Sequence, residues 1–418
     1  MQKLVIDGGR TLCGEIAVQG AKNSALPILA AAYLAGGEVT VHNVPAISDT
    51  YSAMRILTSL GCRVISEGST AVVNSADADG CEISEQLMRE MRSSVIFLGA
   101  VLGRSGKCIL SYPGGCELGP RPIDFHISAL RKMGAEIIEE YGRLVCTAAN
   151  GLNGITLTLP FPSVGATENI MLAAVCARGE TVIKNCAREP EISDLAQFLR
   201  CCGADIEGDG SGTIAIKGVM RLHGCEYRVM PDRICAATWL SACAAAGGEL
   251  YITDALPEHL DAVLPIFEEM GCRMTAGKRS IHIRSTGRLK APETVRTMVY
   301  PGFPTDMQAL LMAAISRAEG STVFIENIFE NRFKHVGEMR RMGADIIAEG
   351  KVAVVNGVKK LYGTGVEAAD LRGGAALVIA GLSADGVTEV SGVKYIDRGY
   401  ESIEGVLSAA GASVRRMG

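Results

Sequence analysis

Met342-Gly343-Ala344-Asp345-Ile346-Ile347-Ala348-Glu349-Gly350-Lys351-Val352-Ala353-Val354-Val355 reads as a helix end, a glycine stop and a short β-hairpin. Asp345 to Ala348 and Val352 to Val355 are the two strands of that hairpin. The same stop, Gly followed by Ala or Cys, occurs at Leu60-Gly61-Cys62, Met133-Gly134-Ala135, Cys202-Gly203-Ala204, Met270-Gly271-Cys272 and Ala410-Gly411-Ala412. Their spacing of about 70 residues is too long for a solenoid repeat and too short for an independent domain. One supersecondary unit is therefore copied six times.

Working outward from each stop, a strand-opening glycine lies about 25 residues upstream, at Gly37, Gly106, Gly179, Gly248, Gly320 and Gly386. Between the two glycines runs an amphipathic helix. Ala53, Ile56, Leu57 and Leu60 follow the i, i+3, i+4, i+7 pattern after Ser48-Asp49, and Leu195, Phe198, Leu199 and Cys202 do so after Ser193-Asp194. Both polar pairs read as helix caps. Before each strand-opening glycine lies a helix apolar on nearly every face, as in Ala25 to Leu34, Ile170 to Cys176 and Met307 to Ile315, which predicts burial on all sides. The unit reads strand, buried helix, strand, amphipathic helix, hairpin, an α/β (α+β) class.

With 418 residues, six units divide into two groups of three, each able to bury a core. Hydrophobic residues at 48% and charged residues at 21% exclude a disordered chain, and 5% aromatics leaves the cores to Ala, Leu, Ile, Val and Met. No apolar run reaches the ~18 residues needed to span a bilayer, and Met1 to Arg10 lacks a secretion signal, so a cytoplasmic protein without membrane partners is expected. A net charge of −5 without a Lys/Arg block argues against nucleic acid. The 14 cysteines form no C-x-x-C pair and read mostly as small core residues, and the six histidines show no metal-ligand spacing. Neither metal nor cofactor is expected.

The buried helices begin with unusual residues: Ala21-Lys22-Asn23-Ser24, Met91-Arg92-Ser93-Ser94, Ser163-Val164-Gly165-Ala166-Thr167, Pro231-Asp232-Arg233, Pro304-Thr305-Asp306-Met307 and Asp370-Leu371-Arg372-Gly373. Helix starts offer unpaired N–H groups and partial positive charge, which suits anions. Ser, Thr, Asp and Asn also serve there as plain caps. Lys22, Arg92, Arg233 and Arg372 oppose the helix dipole, which points to an external anion such as phosphate. Between Tyr112 and Ile123 lies Pro113-Gly114-Gly115-Cys116-Glu117-Leu118-Gly119-Pro120-Arg121-Pro122, a candidate lid carrying a thiol.

Gly20-Ala21-Lys22-Asn23, Pro113-Gly114-Gly115-Cys116 with Arg121-Pro122, Ser163-Val164-Gly165-Ala166-Thr167, Phe303-Pro304-Thr305-Asp306-Met307-Gln308, Phe329-Glu330-Asn331-Arg332 and Ile396-Asp397-Arg398-Gly399-Tyr400 together closely resemble the UDP-N-acetylglucosamine enolpyruvyl transferases over the whole chain. The resemblance implies a two-domain inside-out α/β barrel of six βαβαββ repeats. One domain would be 22–229, with the Cys loop, and the other 1–21 plus 230–418, with the active site in the cleft between them. It implies transfer of the enolpyruvyl group of phosphoenolpyruvate to UDP-N-acetylglucosamine with release of phosphate, the first committed step of peptidoglycan synthesis. Cys116 would be the proton donor and Asp306 the base acting on the sugar hydroxyl, with Lys22, Arg121 and Arg398 holding phosphoenolpyruvate and Arg332 and Arg372 completing a cationic floor. Arg92, Arg121, Pro122, Ile123, Asp124, Phe125, Ser163, Val164, Gly165, Asp306 and Ile328 would contact the UDP-sugar, and Asn23 both substrates. An epoxide of the fosfomycin type would alkylate Cys116.

Some members carry Lys where this chain has Phe161, which removes a charge near the nucleotide phosphates. Arg332, Asp370, Arg398, Glu189 and Glu191 have a second reading as interdomain ion pairs. Two alternatives are enolpyruvyl transfer to shikimate 3-phosphate, whose basic Lys-Ser motif is absent, and a non-catalytic sugar-nucleotide sensor. Intact Lys22, Cys116, Asp306 and Arg398 speak against the sensor.

Overall fold

The computed structural model describes residues 2–112 and 123–418. The described chain forms two compact units: one holds the residues up to Gln19 together with Pro231–Gly418, the other those between Gly20 and Met230. Each has its own apolar core.

Each unit contains three small open sheets with one repeated plan, a parallel edge strand followed by two antiparallel pairings. In the unit from Gly20 to Met230, Glu226–Arg228 runs parallel to Glu38–His42, which pairs antiparallel with Thr70–Asn74 and that in turn with Arg63–Glu67. Thr156–Thr158, Glu180–Lys184, Thr213–Lys217 and Asp205–Glu207 repeat the order. Lys107–Ser111, Arg143–Thr147 and Glu136–Glu140 do so with a single parallel bridge from Glu82 to Ile109 in place of the edge strand.

In the other unit the three sheets are Leu12–Ala17 with Gly248–Thr253, Ser280–Ser285 and Arg273–Ala276; Thr294–Arg296 with Ser321–Ile325, Val352–Asn356 and Asp345–Glu349; and Gly365–Glu367 with Val387–Ser391, Lys3–Asp7 and Ser413–Met417. The last sheet takes its third strand from the opening of the chain, so the first and last strands pair. No sheet closes into a barrel of strands among the described residues.

The six glycine stops share one geometry. Gly61, Gly134, Gly203, Gly271, Gly343 and Gly411 have φ between 90° and 100°. In every copy the glycine N–H donates three residues back and the next N–H donates five residues back, as in Gly343 to Arg340 O at 2.9 Å and Ala344 to Met339 O at 3.1 Å. This is the Schellman arrangement, which satisfies the last carbonyls of a helix and needs a left-handed residue that glycine adopts without strain.

The apolar helices are buried as their composition dictates. Thr305–Ile315 is buried from Met307 to its end, and Leu371–Ser383 from Arg372 onward. Fully burying each Leu or Ile there contributes on the order of 1.5–3 kcal/mol. Helices Arg233–Ala246, Thr305–Ile315 and Leu371–Ser383 all pack on one another. The two expected caps differ. The helices run Ser48–Ser59 and Pro190–Cys201, so Ser48-Asp49 and Ser193-Asp194 lie inside them. Asp49 and Asp194 are instead buried partners of the helix Lys22–Ala32.

Candidate active site

In the unit containing Pro231–Gly418, the side-chain cluster is built around Asp306, in the first turn of Thr305–Ile315. Arg332 Nη2 donates to Asp306 Oδ1 at 2.7 Å, and Arg372 Nη2 and Nε lie 3.3 and 3.4 Å from Oδ2. Both guanidiniums are buried, 3% exposed each, while the carboxylate remains 30% exposed. Arg332 is also held by two bonds to Thr305 O, at 3.2 and 3.1 Å. Arg372 Nη1 donates to Tyr400 Oη at 3.1 Å, and that hydroxyl lies 2.8 Å from Thr238 Oγ1.

Burial pulls the Arg372 guanidinium down, but Tyr400, Asp306 and Asp232 outweigh it and hold it above its ordinary value. Burial pushes the Tyr400 phenol up to about 12, so it serves as a neutral partner. The two carboxylates that act on Arg372, Asp306 and Asp232, thus come from the starts of both neighbouring buried helices. Asp232 caps Arg233–Ala246 through Ile234 and Cys235 N–H, and Asp370 caps Leu371–Ser383 through Arg372 and Gly373 N–H. Arg233 stacks over the Tyr300 ring. Ile328 is positioned by its N–H bond to Glu326 Oε1 at 2.8 Å, and Arg398 is half-buried just beyond the Asp397 C-cap of the short helix Val393–Ile396.

In the other unit, Lys22 opens a buried helix and pairs with Asp49 at 2.6 Å. The anion beside this cation is the protein's own carboxylate, as Asp306 is for Arg372, at two helix starts where the sequence pointed to an external anion. The same helix start is tied down at Ser24, whose hydroxyl donates to Asp194. Tyr227 and the Met230 N–H, at 2.6 and 3.3 Å, also donate to Asp194. Ser163 caps its helix by accepting from Ala166 N–H at 3.3 Å, placing Val164 and Gly165 in the first turn. Arg92 opens the short 3-10 helix Arg92–Ile96, and Ile123, Asp124 and Phe125 open the helix Asp124–Lys132. Phe161 is 41% exposed, just ahead of the Ser163 cap.

Cys116, Arg121 and Pro122 lie outside the described residues. The ion pair of Arg332 is made to Asp306 within its own unit, and Asp370 caps its own helix. Sequence reasoning took Asp49 for a cap and met Tyr400 only within a motif, and it gave no role to His126, Asn169 or Glu168. The signal was present for the last two: a polar side chain on a helix buried all round must find a partner or lose its charge. Glu168 does the latter, since burial, with Glu191 and Glu189 nearby, drives its carboxyl well above the usual range.

Residues 6–407 match the EPSP synthase family (3-phosphoshikimate 1-carboxyvinyltransferase). The chain also superposes on the enolpyruvyl transferase NikO from Streptomyces tendae, with a TM-score of 0.90 at 26% identity over 100% of this chain and 99% of that one. An EPSP synthase from Acinetobacter baumannii shares the fold, with a TM-score of 0.76 at 21% identity and complete coverage of both. Among curated relatives, UDP-N-acetylglucosamine 1-carboxyvinyltransferase 2 of Caldanaerobacter subterraneus subsp. tengcongensis is 49% identical over the whole of both chains. The UDP-N-acetylglucosamine 1-carboxyvinyltransferases of Nitratidesulfovibrio vulgaris and Myxococcus xanthus are 48% and 46% identical over 100% of this chain and 99% of each relative. The chain belongs to the UDP-N-acetylglucosamine 1-carboxyvinyltransferase family of carboxyvinyl transferases.

Proposed function

We propose that the chain transfers the enolpyruvyl group of phosphoenolpyruvate to a hydroxyl of UDP-N-acetylglucosamine and releases inorganic phosphate, a step of peptidoglycan synthesis. The observation that carries this reading is the Asp306 carboxylate, partly exposed and gripped by the buried Arg332 and Arg372 guanidiniums, in a family whose relatives are named for this reaction. In the addition step, a proton is delivered to the methylene carbon of phosphoenolpyruvate and the sugar oxygen bonds to the adjacent carbon as its hydroxyl proton is lost. In the elimination step, the carbon–oxygen bond to phosphate breaks, a proton leaves the new methyl group and the double bond reforms. Proton inventory and phosphate balance without any further reactant.

The role of Asp306 is to orient and deprotonate the hydroxyl, since two fixed guanidiniums hold the carboxylate in one orientation. Cys116 is assigned the proton donor, and Lys22, Arg121 and Arg398 the phosphate and carboxylate of phosphoenolpyruvate. The buried Lys22–Asp49 pair keeps that ammonium in place before substrate arrives. Asn23, Arg92, Ile123, Asp124, Phe125, Ser163, Val164, Gly165 and Ile328 are assigned to the sugar nucleotide, with the amides at the Ser163-capped helix start available to its phosphates.

Mass spectrometry of the sugar nucleotide after incubation with phosphoenolpyruvate and enzyme tests this directly. The wild type should add one enolpyruvyl group, and Asp306→Asn should slow the addition at least ~100-fold, as expected for loss of a general base. An unmodified sugar nucleotide with the wild type would refute the assignment.

A further inference from the structure

The side-chain amide of Asn169, fully buried in the helix Val164–Ala174, uses all its hydrogen-bonding groups. Its Oδ1 accepts from Gly99 N–H at 2.5 Å, and a backbone N–H can only donate, so the oxygen and nitrogen of the amide are distinguished. Nδ2 therefore donates both hydrogens, one to Val95 O and one to His126 Nδ1, each at 2.8 Å. A ring nitrogen that accepts a hydrogen bond carries no proton, so the His126 proton sits on Nε2. Burial, with the nearby Arg92 adding to it, pushes the imidazole down to about 4, and the ring is neutral at physiological pH. Nε2 faces the Ser163-capped helix start: a methyl group on Gly165 would stand 3.6 Å from it.

Asn169 touches three other elements, through Val95 the 3-10 helix that starts at Arg92, through Gly99 the helix Phe97–Ser105, and through His126 the helix Asp124–Lys132. The approach is close enough that any side chain at Gly99 would collide with the Asn169 carbonyl groups. One buried amide thus sets the relative placement of Arg92, Asp124, Phe125 and Gly165.

We propose that Asn169 is a positioning residue that fixes the His126 proton on Nε2, from which the ring donates a hydrogen bond to the sugar nucleotide at the Ser163–Gly165 helix start. The inference deepens the functional reading above and rests on it. Hydroxyl, carbonyl and phosphate oxygens all accept hydrogen bonds, so a ring held with Nε2–H outward meets them with a donor, whereas the other tautomer would oppose them with a lone pair.

Side-chain 15N NMR of histidine-labelled full-length protein, with the His126 signal assigned through His126→Gln, tests the tautomer without any activity measurement. In the wild type Nε2 should show the protonated, pyrrole-type shift and Nδ1 the pyridine-type shift, unchanged between about pH 8 and pH 5.5. Saturating UDP-N-acetylglucosamine should move the Nε2 signal. Asn169→Leu should mix the tautomers and raise KM for UDP-N-acetylglucosamine roughly two- to tenfold, leaving KM for phosphoenolpyruvate in place. A wild-type ring protonated on Nδ1, or titrating near its ordinary value, overturns the inference even where the variant does not fold. An Nε2 signal indifferent to the sugar nucleotide, in protein that turns it over, overturns the donor role. Wild-type protein that neither binds nor turns over the sugar nucleotide refutes the functional reading instead.

Discussion

His335 makes the stability of the unit containing Pro231–Gly418 sensitive to mild acid. The ring is 3% exposed and neither nitrogen is paired with another side chain among the described residues. Burial drives it down from 6.5 to about 4, with Asp370 pulling it back and Arg332 adding to the depression. The folded state therefore binds fewer protons than the unfolded chain between these values, and stability falls as pH drops through that window. At pH 5.5 the unfolded imidazole is mostly protonated and the folded one mostly neutral, which costs about 1.4 kcal/mol relative to pH 7.5. Urea unfolding of the wild type and His335→Gln at both pH values reads this difference. The variant starts from a lower baseline at either pH, but its loss on acidification should be smaller than that of the wild type by about 1.4 kcal/mol. Equal losses would refute the reasoning, because a ring that is solvated or already charged in the folded state would show no such difference.

Gly271→Ala tests the helix stop without steric conflict, since an added methyl group meets nothing within 4 Å but must adopt φ of 98°. It should cost about 1–2 kcal/mol and lower Tm by a few degrees in calorimetry. Glu168→Gln should raise Tm at pH 8 and progressively less towards pH 5. A carboxyl whose folded pKa lies above its unfolded value loses stability as pH rises, and the amide removes that loss. A Tm difference independent of pH would count against it. Exposure to an epoxide of the fosfomycin type should leave a covalent adduct on Cys116, read by peptide mass spectrometry, while the buried Cys108 and Cys235 stay unmodified because burial drives their thiols up.

The parts of the fold that could be read from sequence are those encoded locally. Each glycine stop is specified by a handful of neighbouring residues, because a Schellman turn is closed by bonds three and five residues long. The buried helices were legible because Ala, Leu, Met and Ile cover their whole circumference. Asp49 and Asp194 were misread as caps for the opposite reason. Each sits near a helix start, where local rules favour capping, but its partner is 27 or 170 residues away and wins because both ends are buried.

In the site, Asp306, Arg332 and Arg372 drew notice by motif, and the structure shows how they are held together. The Asn169–His126 contact spans 43 residues and has no periodicity to betray it. The Cys116 loop is legible as a motif and lies outside the described residues.

Phosphate release from phosphoenolpyruvate, measured with and without UDP-N-acetylglucosamine, tests the central claim most directly. Release should require the sugar nucleotide and should be lost in Cys116→Ser. Release that ignores the sugar nucleotide, or its complete absence from folded wild-type protein, would contradict the account.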